Sequence, residues 1–423
     1  MCVEMIEKHY AGGSVLDGTG RAARRADVRM EDGRIAAVEA GLGQTVTEAE
    51  VIDATGCFVT PGFIDMHRHC DIAPMRDADF GEIELCQGIT TTVVGNCGIA
   101  CTPIPVEKQA AYRSFGEPVI GSSDGLLYAT HADYVQALTA AEPSINMGFM
   151  VGTGAVKVAV KGFADTPYTK EELRAARGLV EAGLDAGAFG VSLGFMYQPE
   201  CYTTPEEQAA VIAPAKGTIL TNHIRGEGDS LVASVEEVMA IGKAAGVHTH
   251  VSHFKATGIV NWRKTIFEAM AAMERERGQG NPVTADFYPY AGGSTTAFSL
   301  IPPAVMKSDQ DKTLAFLATE EGKHAMLEAV EGETPGWDNM AKSIGWDRVL
   351  IAGTQKPEHA AMSGRSIAEL TEEMGYAHPS DFLCDLVTSE NGLVTIVVMS
   401  MDEGDVDAVA RLPYSAVISD ALY

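Results

Sequence analysis

Residues able to bind a metal ion recur in this sequence at the ends of short apolar segments. In the first such segment, His67 and His69 are two residues apart, so both imidazoles point to one side of an extended chain. Cys97 ends the second segment between glycines, in the motif GNCG. Imidazole, thiolate and carboxylate groups are together typical of a site for a borderline-soft divalent ion such as Zn²⁺. The six candidate ligands are His67, His69, Cys97, His223, His253 and Asp420.

One of these segments, HTHVSHF, offers three histidines as ligands. If the segment is a regular strand, His248 and His250 share one face and His253 lies on the other. His253 is nearest the C-terminal end of the segment, so we assign the ligand to it. A single histidine is more often a surface or core residue than a ligand, but six candidates at equivalent positions indicate a site.

The segments that carry these residues predict a common scaffold. Helical patterns with apolar residues three and four apart separate most of them. Eight parallel strands with helical crossovers predict an α/β fold, a TIM-type (β/α)8 barrel, in which active sites lie at the C-terminal ends of the strands. The predicted strands span 62–67, 91–97, 145–152, 187–194, 218–224, 248–254, 283–290 and 415–421.

Three parts of the chain depart from the barrel pattern. Residues 1–60 contain short alternating segments broken by Asp-Gly turns, which predict a small N-terminal β-sandwich domain before a barrel at 61–423. Residues 291 to about 350 exceed ordinary loop length and predict an insertion that forms a lid or substrate loop. The sequence stops just after the eighth strand, so we expect an open barrel that is truncated before its eighth helix, an incomplete sandwich, and exposed apolar surface that favours a homo-oligomer.

Composition narrows the range of partners. Lys and Arg number 31 against 58 Asp and Glu, a formal net charge of −27, which disfavours binding to nucleic acid or to anionic membranes. Hydrophobic residues make up 46% of the chain, enough for a large core. We expect a cytoplasmic protein, because no apolar run reaches 18 residues and the eight cysteines show no pairing pattern.

Longer motifs surround the candidate ligands and carry a family resemblance. They are, in order, PGFIDMHRHCD, VVGNCG, GVSLGFMYQP, NHIRGEGDS, VSHFKATG, DFYPYAGGST, GRSIAEL and VISDALY. Together they resemble the motifs of the N-acyl-D-amino-acid deacylases (D-aminoacylases) of the amidohydrolase superfamily, over nearly the whole chain. The resemblance implies zinc-dependent hydrolysis of an N-acyl-D-amino acid, a small-molecule substrate, to a carboxylate and a free D-amino acid. Two alternatives remain: a cyclic amide or imide hydrolase, like dihydroorotases and hydantoinases, and an inactive truncated amidohydrolase.

The resemblance also implies the ligands of each metal position. One tight zinc would be held by Cys97, His223 and His253, and a second, weaker metal position would be formed by His67, His69 and Asp420. The fourth strand, GVSLG, has no lysine of the kind that bridges two metals when carboxylated in other superfamily members. This absence agrees with a thiolate, from Cys97, as the anionic ligand.

The same resemblance implies the residues that act on the substrate. Lys255 matches a lysine that binds the substrate carboxylate, and Tyr288, Tyr197 and Ser294 match residues of the substrate pocket. Asp420 would be the catalytic general base and then the general acid. Arg225 and Glu227, near the metal ligands in the motif HIRGE, could orient those ligands or could form an ordinary ion pair within the loop.

Overall fold

The structure is a computed structural model, and it describes residues 8–42, 50–307, 310–332 and 338–422. The chain divides into two compact units, Met1–Phe63 with Gly88–Thr90 and Ile64–Gln87 with Thr91–Tyr423. The predicted domain boundary between residues 60 and 61 stays a prediction. Residues 1–7 and 43–49 of the predicted N-terminal domain lie outside the described part.

The smaller unit contains one β-sheet. Its strands are β1 (Lys8–Val15), β2 (Arg24–Glu31), β3 (Arg34–Glu39), β4 (Glu50–Asp53) and β5 (Phe58–Val59). β1 pairs antiparallel with β2 and parallel with β4 and β5, and β2 pairs antiparallel with β3. Asp32 and Gly33 both have positive φ, 49° and 70°, as a tight hairpin turn requires. The described strands form a single sheet, so the second layer of the predicted sandwich is not among them.

The larger unit is built around a parallel barrel, which confirms the predicted fold class. Each of the eight predicted segments contains or overlaps a barrel strand, and the third segment holds two short strands. The strands are β6 (Phe63–Asp65), β7 (Ile89–Val94), β8 (Asn146–Phe149), β9 (Val151–Gly152), β10 (Gly190–Gly194), β11 (Ile219–His223), β12 (His248–Val251), β13 (Val283–Phe287) and, near the end of the chain, β17 (Ser415–Val417).

The strand ring closes between the last strand and the first. Pairing runs β6-β7-β8 and β9-β10-β11-β12-β13-β17. Beyond β17, the Asp420 backbone N–H donates to the His67 carbonyl at 3.0 Å, and the His69 N–H donates to the Ala421 carbonyl at 3.0 Å. The ring is therefore closed, whereas the sequence predicted an open barrel. Closure itself brings Asp420 beside the His67 and His69 segment.

Helices cover the barrel between its strands. Two of them, α6 and α7, begin with a capping box in which a threonine and the glutamate three residues later exchange hydrogen bonds with the backbone. No helix in the described part of the chain is both long and apolar enough to cross a bilayer. The helices are α1 (Ala73–Arg76), α2 (Glu82–Cys86), α3 (Val106–Ile120), α4 (His131–Ala141), α5 (Thr153–Lys161), α6 (Lys170–Asp185), α7 (Pro205–Val211), α8 (Leu231–Ala245), α9 (Thr265–Gly278) and α15 (Glu403–Ala410).

The predicted insertion follows β13 and has a core of its own. It contains β14 (Gly293–Thr296), α10 (Gln310–Leu317), α11 (Glu320–Glu331), α12 (Met340–Ile344), β15 (Val349–Gly353), α13 (Ile367–Glu373), α14 (Pro379–Ser389) and β16 (Thr395–Val398). The three strands form an antiparallel sheet in the order β14-β16-β15. Leu317, Phe382 and Ile396 belong to one apolar cluster. The segment thus extends to Val398, beyond the predicted end near 350, because α13, α14 and β16 pack into the same core.

Candidate metal centre and substrate pocket

The six predicted metal ligands lie together at the mouth of the barrel. Cys97 Sγ is 3.3 Å from His67 Nε2 and 3.6 Å from His253 Nε2. Asp420 Oδ1 is 3.3 Å from His67 Nε2 and 3.5 Å from His69 Nε2. Within three groups, every potential ligand atom lies within 4.8 Å of the others. These groups are His67, His69 and Cys97; Cys97, His223 and His253; and His67, His253 and Asp420.

Three of these residues have a backbone conformation that is uncommon for residues with a side chain. φ is 55° at Cys97, 35° at His253 and 51° at Asp420. The turn at Cys97 also needs Gly95, where a Cβ would lie 2.4 Å from the Met150 carbonyl oxygen. Left-handed residues just after strands β7, β12 and β17 turn these side chains toward one point. A strained backbone of this kind is kept only where the surrounding packing and hydrogen bonds hold it in place, as they often do at functional sites.

The spacing of the ligand atoms fits a small tetrahedral cation. With zinc–sulfur and zinc–nitrogen bonds of about 2.3 and 2.05 Å, tetrahedral geometry separates the sulfur and the nitrogen by about 3.6 Å. Cys97 Sγ and His253 Nε2 are 3.6 Å apart. His223 belongs to the same group, and its Nε2 atom is buried with no hydrogen-bond partner. A buried polar atom without a partner is costly, and a cation in this group would satisfy it.

The electrostatics of the cluster also favour a cation. Burial opposes ionisation of the Cys97 thiol, but the charge of His67 and a hydrogen bond from His253 outweigh it and hold the thiol pKa well below its usual value. Burial likewise opposes ionisation of Asp420, but His67 and His69 keep its pKa below the usual range. The same anions raise the pKa of His69 to about 9 against the effect of burial. A bound cation would replace these imidazole protons, so metal binding would release protons.

Behind the ligands lies a carboxylate that the sequence analysis missed, Asp286 at the end of β13. Its Oδ2 is 3.2 Å from His67 Nδ1 and 2.9 Å from His250 Nε2. Its Oδ1 accepts the backbone N–H of His253. The segment VTADFYPY could have indicated a role for Asp286, because a carboxylate within a buried strand needs hydrogen-bond or ionic partners.

A second carboxylate, Glu227, connects a ligand with the predicted substrate lysine. Glu227 Oε1 is 2.6 Å from Lys255 Nζ and 3.0 Å from His253 Nδ1. Burial alone would raise the pKa of Glu227, but the charge of Lys255 and a hydrogen bond from His253 hold it far below its usual value. Lys255 Nζ is also 2.8 Å from His253 Nδ1, so the three groups form one cluster.

The predicted substrate residues line a pocket that opens onto the candidate ligands. The pocket contains about 820 Å³ of space, including the open solvent at its mouth. Lys255, Tyr288, Tyr197 and Ser294 all line it, as do five of the six candidate ligands. His67 is the exception, since it is fully buried behind them. Tyr197 packs on the His223 ring at a centroid distance of 4.7 Å.

The insertion forms the far wall of this pocket. Its residues Thr295, Met340 and Val398 face the cavity that Cys97 and His253 line from the barrel side. β14 is held there by antiparallel pairing with β16. At Gly293 a Cβ would lie 2.6 Å from the Tyr288 hydroxyl, so this strand position has no room for a side chain. The insertion therefore encloses the site as the predicted lid would.

Fold and site together define a (β/α)8-barrel protein with a candidate metal centre at the C-terminal ends of its strands. The model of the amidohydrolase family matches residues 50–296, more than half of the chain. The chain belongs to the amidohydrolase family, in its N-acyl-D-amino-acid deacylase (D-aminoacylase) group, as predicted from the motifs.

Individual relatives agree with this assignment. The chain is 33% identical to N-acyl-D-glutamate deacylase of Alcaligenes xylosoxydans xylosoxydans over 99% of this chain and 74% of the relative. It is 36% identical to a D-aminoacylase of the same organism over 67% of this chain, but spans 57% of that relative, less than two thirds. N-acyl-D-glutamate deacylase from Bordetella bronchiseptica, crystallised with zinc and a phosphonate mimic of the tetrahedral intermediate, superposes with a TM-score of 0.78 at 31% identity. That superposition covers 99% of this chain and 76% of the crystallised one.

Proposed function

We propose that this protein hydrolyses the amide bond of N-acyl-D-amino acids to a carboxylate and a free D-amino acid, with zinc as cofactor. The observation that carries the proposal is the meeting of a thiolate, four imidazoles and a carboxylate with a buried lysine in one pocket. The names of the similar proteins, N-acyl-D-glutamate deacylase and D-aminoacylase, support the same reaction.

The tight zinc would be held by Cys97, His223 and His253, where the donor set contains the thiolate and the spacing fits a tetrahedral ion. A second, weaker position would use His67, His69 and Asp420. Bound zinc would lower the pKa of a water molecule and polarise the amide carbonyl.

Asp420 is proposed as the group that moves the proton. Its carboxylate lies beside His67 and His69 and is held ionised by them, so Oδ1 can accept a proton from the attacking water. An amine leaves only when it is protonated, and the same carboxyl group can then donate that proton to the amide nitrogen. One carboxylate thus acts first as base and then as acid.

Lys255 is proposed to bind the α-carboxylate of the substrate. Among the described residues that line the pocket, Lys255 is the one lysine or arginine. Tyr288 lies beside it, and Lys255 Nζ is 5.4 Å from the centroid of the Tyr288 ring. A carboxylate fixed here and a carbonyl fixed at the metal centre leave limited freedom for the side chain at the α-carbon. The D configuration would be selected by the wall that Tyr197 and Ser294 contribute.

The location and assembly of the protein stay predictions. The described cysteines are all free thiols, which fits the reducing cytoplasm. Ile64 and Val417, on the first and eighth barrel strands, are 61% and 59% exposed, and such apolar surface supports the predicted homo-oligomer. Size-exclusion chromatography with light scattering would test it, since a strict monomer at all concentrations would contradict the prediction.

A substrate panel tests the proposed function. Zinc-loaded protein should release free amino acid from N-acetyl-D-methionine or N-acetyl-D-glutamate, with the L enantiomers cleaved much more slowly. Ring opening of hydantoin or dihydroorotate in preference to these linear amides would instead support the cyclic amide hydrolase. Absence of turnover on the whole panel, with zinc bound, would support the inactive amidohydrolase.

A further inference from the structure

A chain of hydrogen bonds runs through the barrel interior from the candidate ligands, and Asp286 is at its centre. Asp286 is 1% exposed and contacts three groups: the His67 ring at 3.2 Å, the His250 ring at 2.9 Å and the His253 backbone N–H. His67 belongs to one proposed metal position and His253 to the other. A single buried carboxylate therefore contacts ligands of both positions.

The chain continues from Asp286 along strands β12 and β13. His250 Nδ1 is 2.7 Å from the Thr284 hydroxyl, and that hydroxyl is 2.8 Å from His248 Nε2. If His250 donates from Nε2 to Asp286, its Nδ1 accepts the Thr284 hydroxyl hydrogen, and the Thr284 oxygen accepts from His248. Every member then has a defined hydrogen-bonding role. These hydrogen bonds account for the positions of His248 and His250 without a role as metal ligands.

We propose that Asp286 is a positioning residue that orients His67 and fixes the backbone of His253, and that His250 and Thr284 hold Asp286 in place. The inference rests on the proposed zinc site. His67 has to donate from Nδ1 to Asp286, so its lone pair lies on Nε2, the atom 3.3 Å from both Cys97 and Asp420. Carboxylates behind ligating histidines fix the ring and raise its basicity, and their loss typically weakens metal affinity about 10- to 100-fold.

The test compares zinc dissociation constants, from competition with a chromophoric chelator, across variants of the full chain. Asp286→Asn keeps the side-chain volume but replaces one acceptor oxygen with a donor, and should weaken zinc binding at the position that uses His67 about 10- to 100-fold. Thr284→Val removes only the hydroxyl between the two histidines, so a smaller weakening is expected. The matched control is Thr249→Val on β12, whose side chain packs against Gly242 of α8 rather than into this chain. Its zinc affinity should equal that of the wild type.

A second readout distinguishes positioning from a general loss of structure. Cobalt bound at Cys97 gives visible absorption bands that report on its ligand geometry, and these should shift in Asp286→Asn while the thermal unfolding of the metal-free protein still shows a cooperative transition. Unchanged zinc affinity and cobalt spectrum in a folded Asp286→Asn would overturn the inference. If Asp286→Asn does not fold, the Thr284→Val variant provides the test. A zinc affinity of Thr284→Val equal to that of Thr249→Val would refute the positioning role of Asp286. Wild-type protein that binds zinc but cleaves no acyl amino acid would refute the proposed function and leave this inference standing.

Discussion

Replacing Lys255 with methionine should remove the ability of the enzyme to recognise the α-carboxylate of its substrate. The change keeps an unbranched side chain as far as the ε position but removes the ammonium group, and Lys255 is the one Lys or Arg among the described pocket-lining residues. A hydrogen bond to a charged group contributes about 1.5–3 kcal/mol, and 1.36 kcal/mol is a factor of ten. Lys255→Met should therefore lower kcat/KM for N-acetyl-D-methionine about 10- to 100-fold, chiefly through KM.

The assay compares N-acetyl-D-methionine with its carboxamide analogue, which lacks the negative charge. The wild type should prefer the carboxylate, and Lys255→Met should lose most of that preference. Because Glu227 loses its 2.6 Å partner in this variant, its charge would also repel the substrate, so adding Glu227→Gln should recover part of the affinity. Lys243→Met, an exposed lysine paired with Glu276, is the matched control. An unchanged carboxylate preference in Lys255→Met, with zinc content intact, would refute the assigned contact.

Three further predictions concern the proton-transfer group, the metal and pH. Asp420→Asn should lower kcat about 100-fold or more while substrate binding stays roughly intact, as expected for loss of a general acid and base, and near-wild-type kcat would contradict this role. The Cys97→Ala variant should lose the tightly held zinc. If elemental analysis of the dialysed variant shows an undiminished zinc content, the assignment of Cys97 as a ligand is refuted. Burial lowers the pKa of His131 to about 4, so its contribution to stability is complete above pH 6.5 and is lost as pH falls toward 4. Relative to His131→Phe, the wild type should lose about 3 kcal/mol of unfolding free energy between pH 7.5 and 4 in urea titrations, and a constant difference would contradict it.

The parts of the fold that follow from local pattern were predictable. Buried parallel strands are short apolar runs, and all eight barrel strands lie within or overlap the predicted segments, although β7 begins two residues before its segment. The meeting of the six candidate ligands followed from the rule that side chains at the C-terminal ends of barrel strands share one mouth. His253 rather than His250 reaches Cys97, as its later position on the strand indicated.

Features that depend on distant pairing were not predictable. Closure between Asp420 and His67 joins residues more than 350 positions apart, and no local pattern specifies that backbone hydrogen bond. The insertion extends past residue 350 because its later helices share one apolar core with its earlier ones. That shared core is tertiary packing, which no local sequence pattern shows. Asp286 was missed because its three partners come from β12 and from the segments that follow β6 and β12.

The central claim, a zinc-dependent enzyme selective for D substrates, is tested most directly by titrating metal-free protein with zinc while following hydrolysis of N-acetyl-D- and N-acetyl-L-methionine in parallel. The account predicts that D-methionine release rises with zinc and reaches its plateau near one equivalent, that the L substrate is cleaved far more slowly, and that a chelator reverses the activity. Equal rates on the two enantiomers, or hydrolysis of the D substrate that does not depend on zinc, would contradict it.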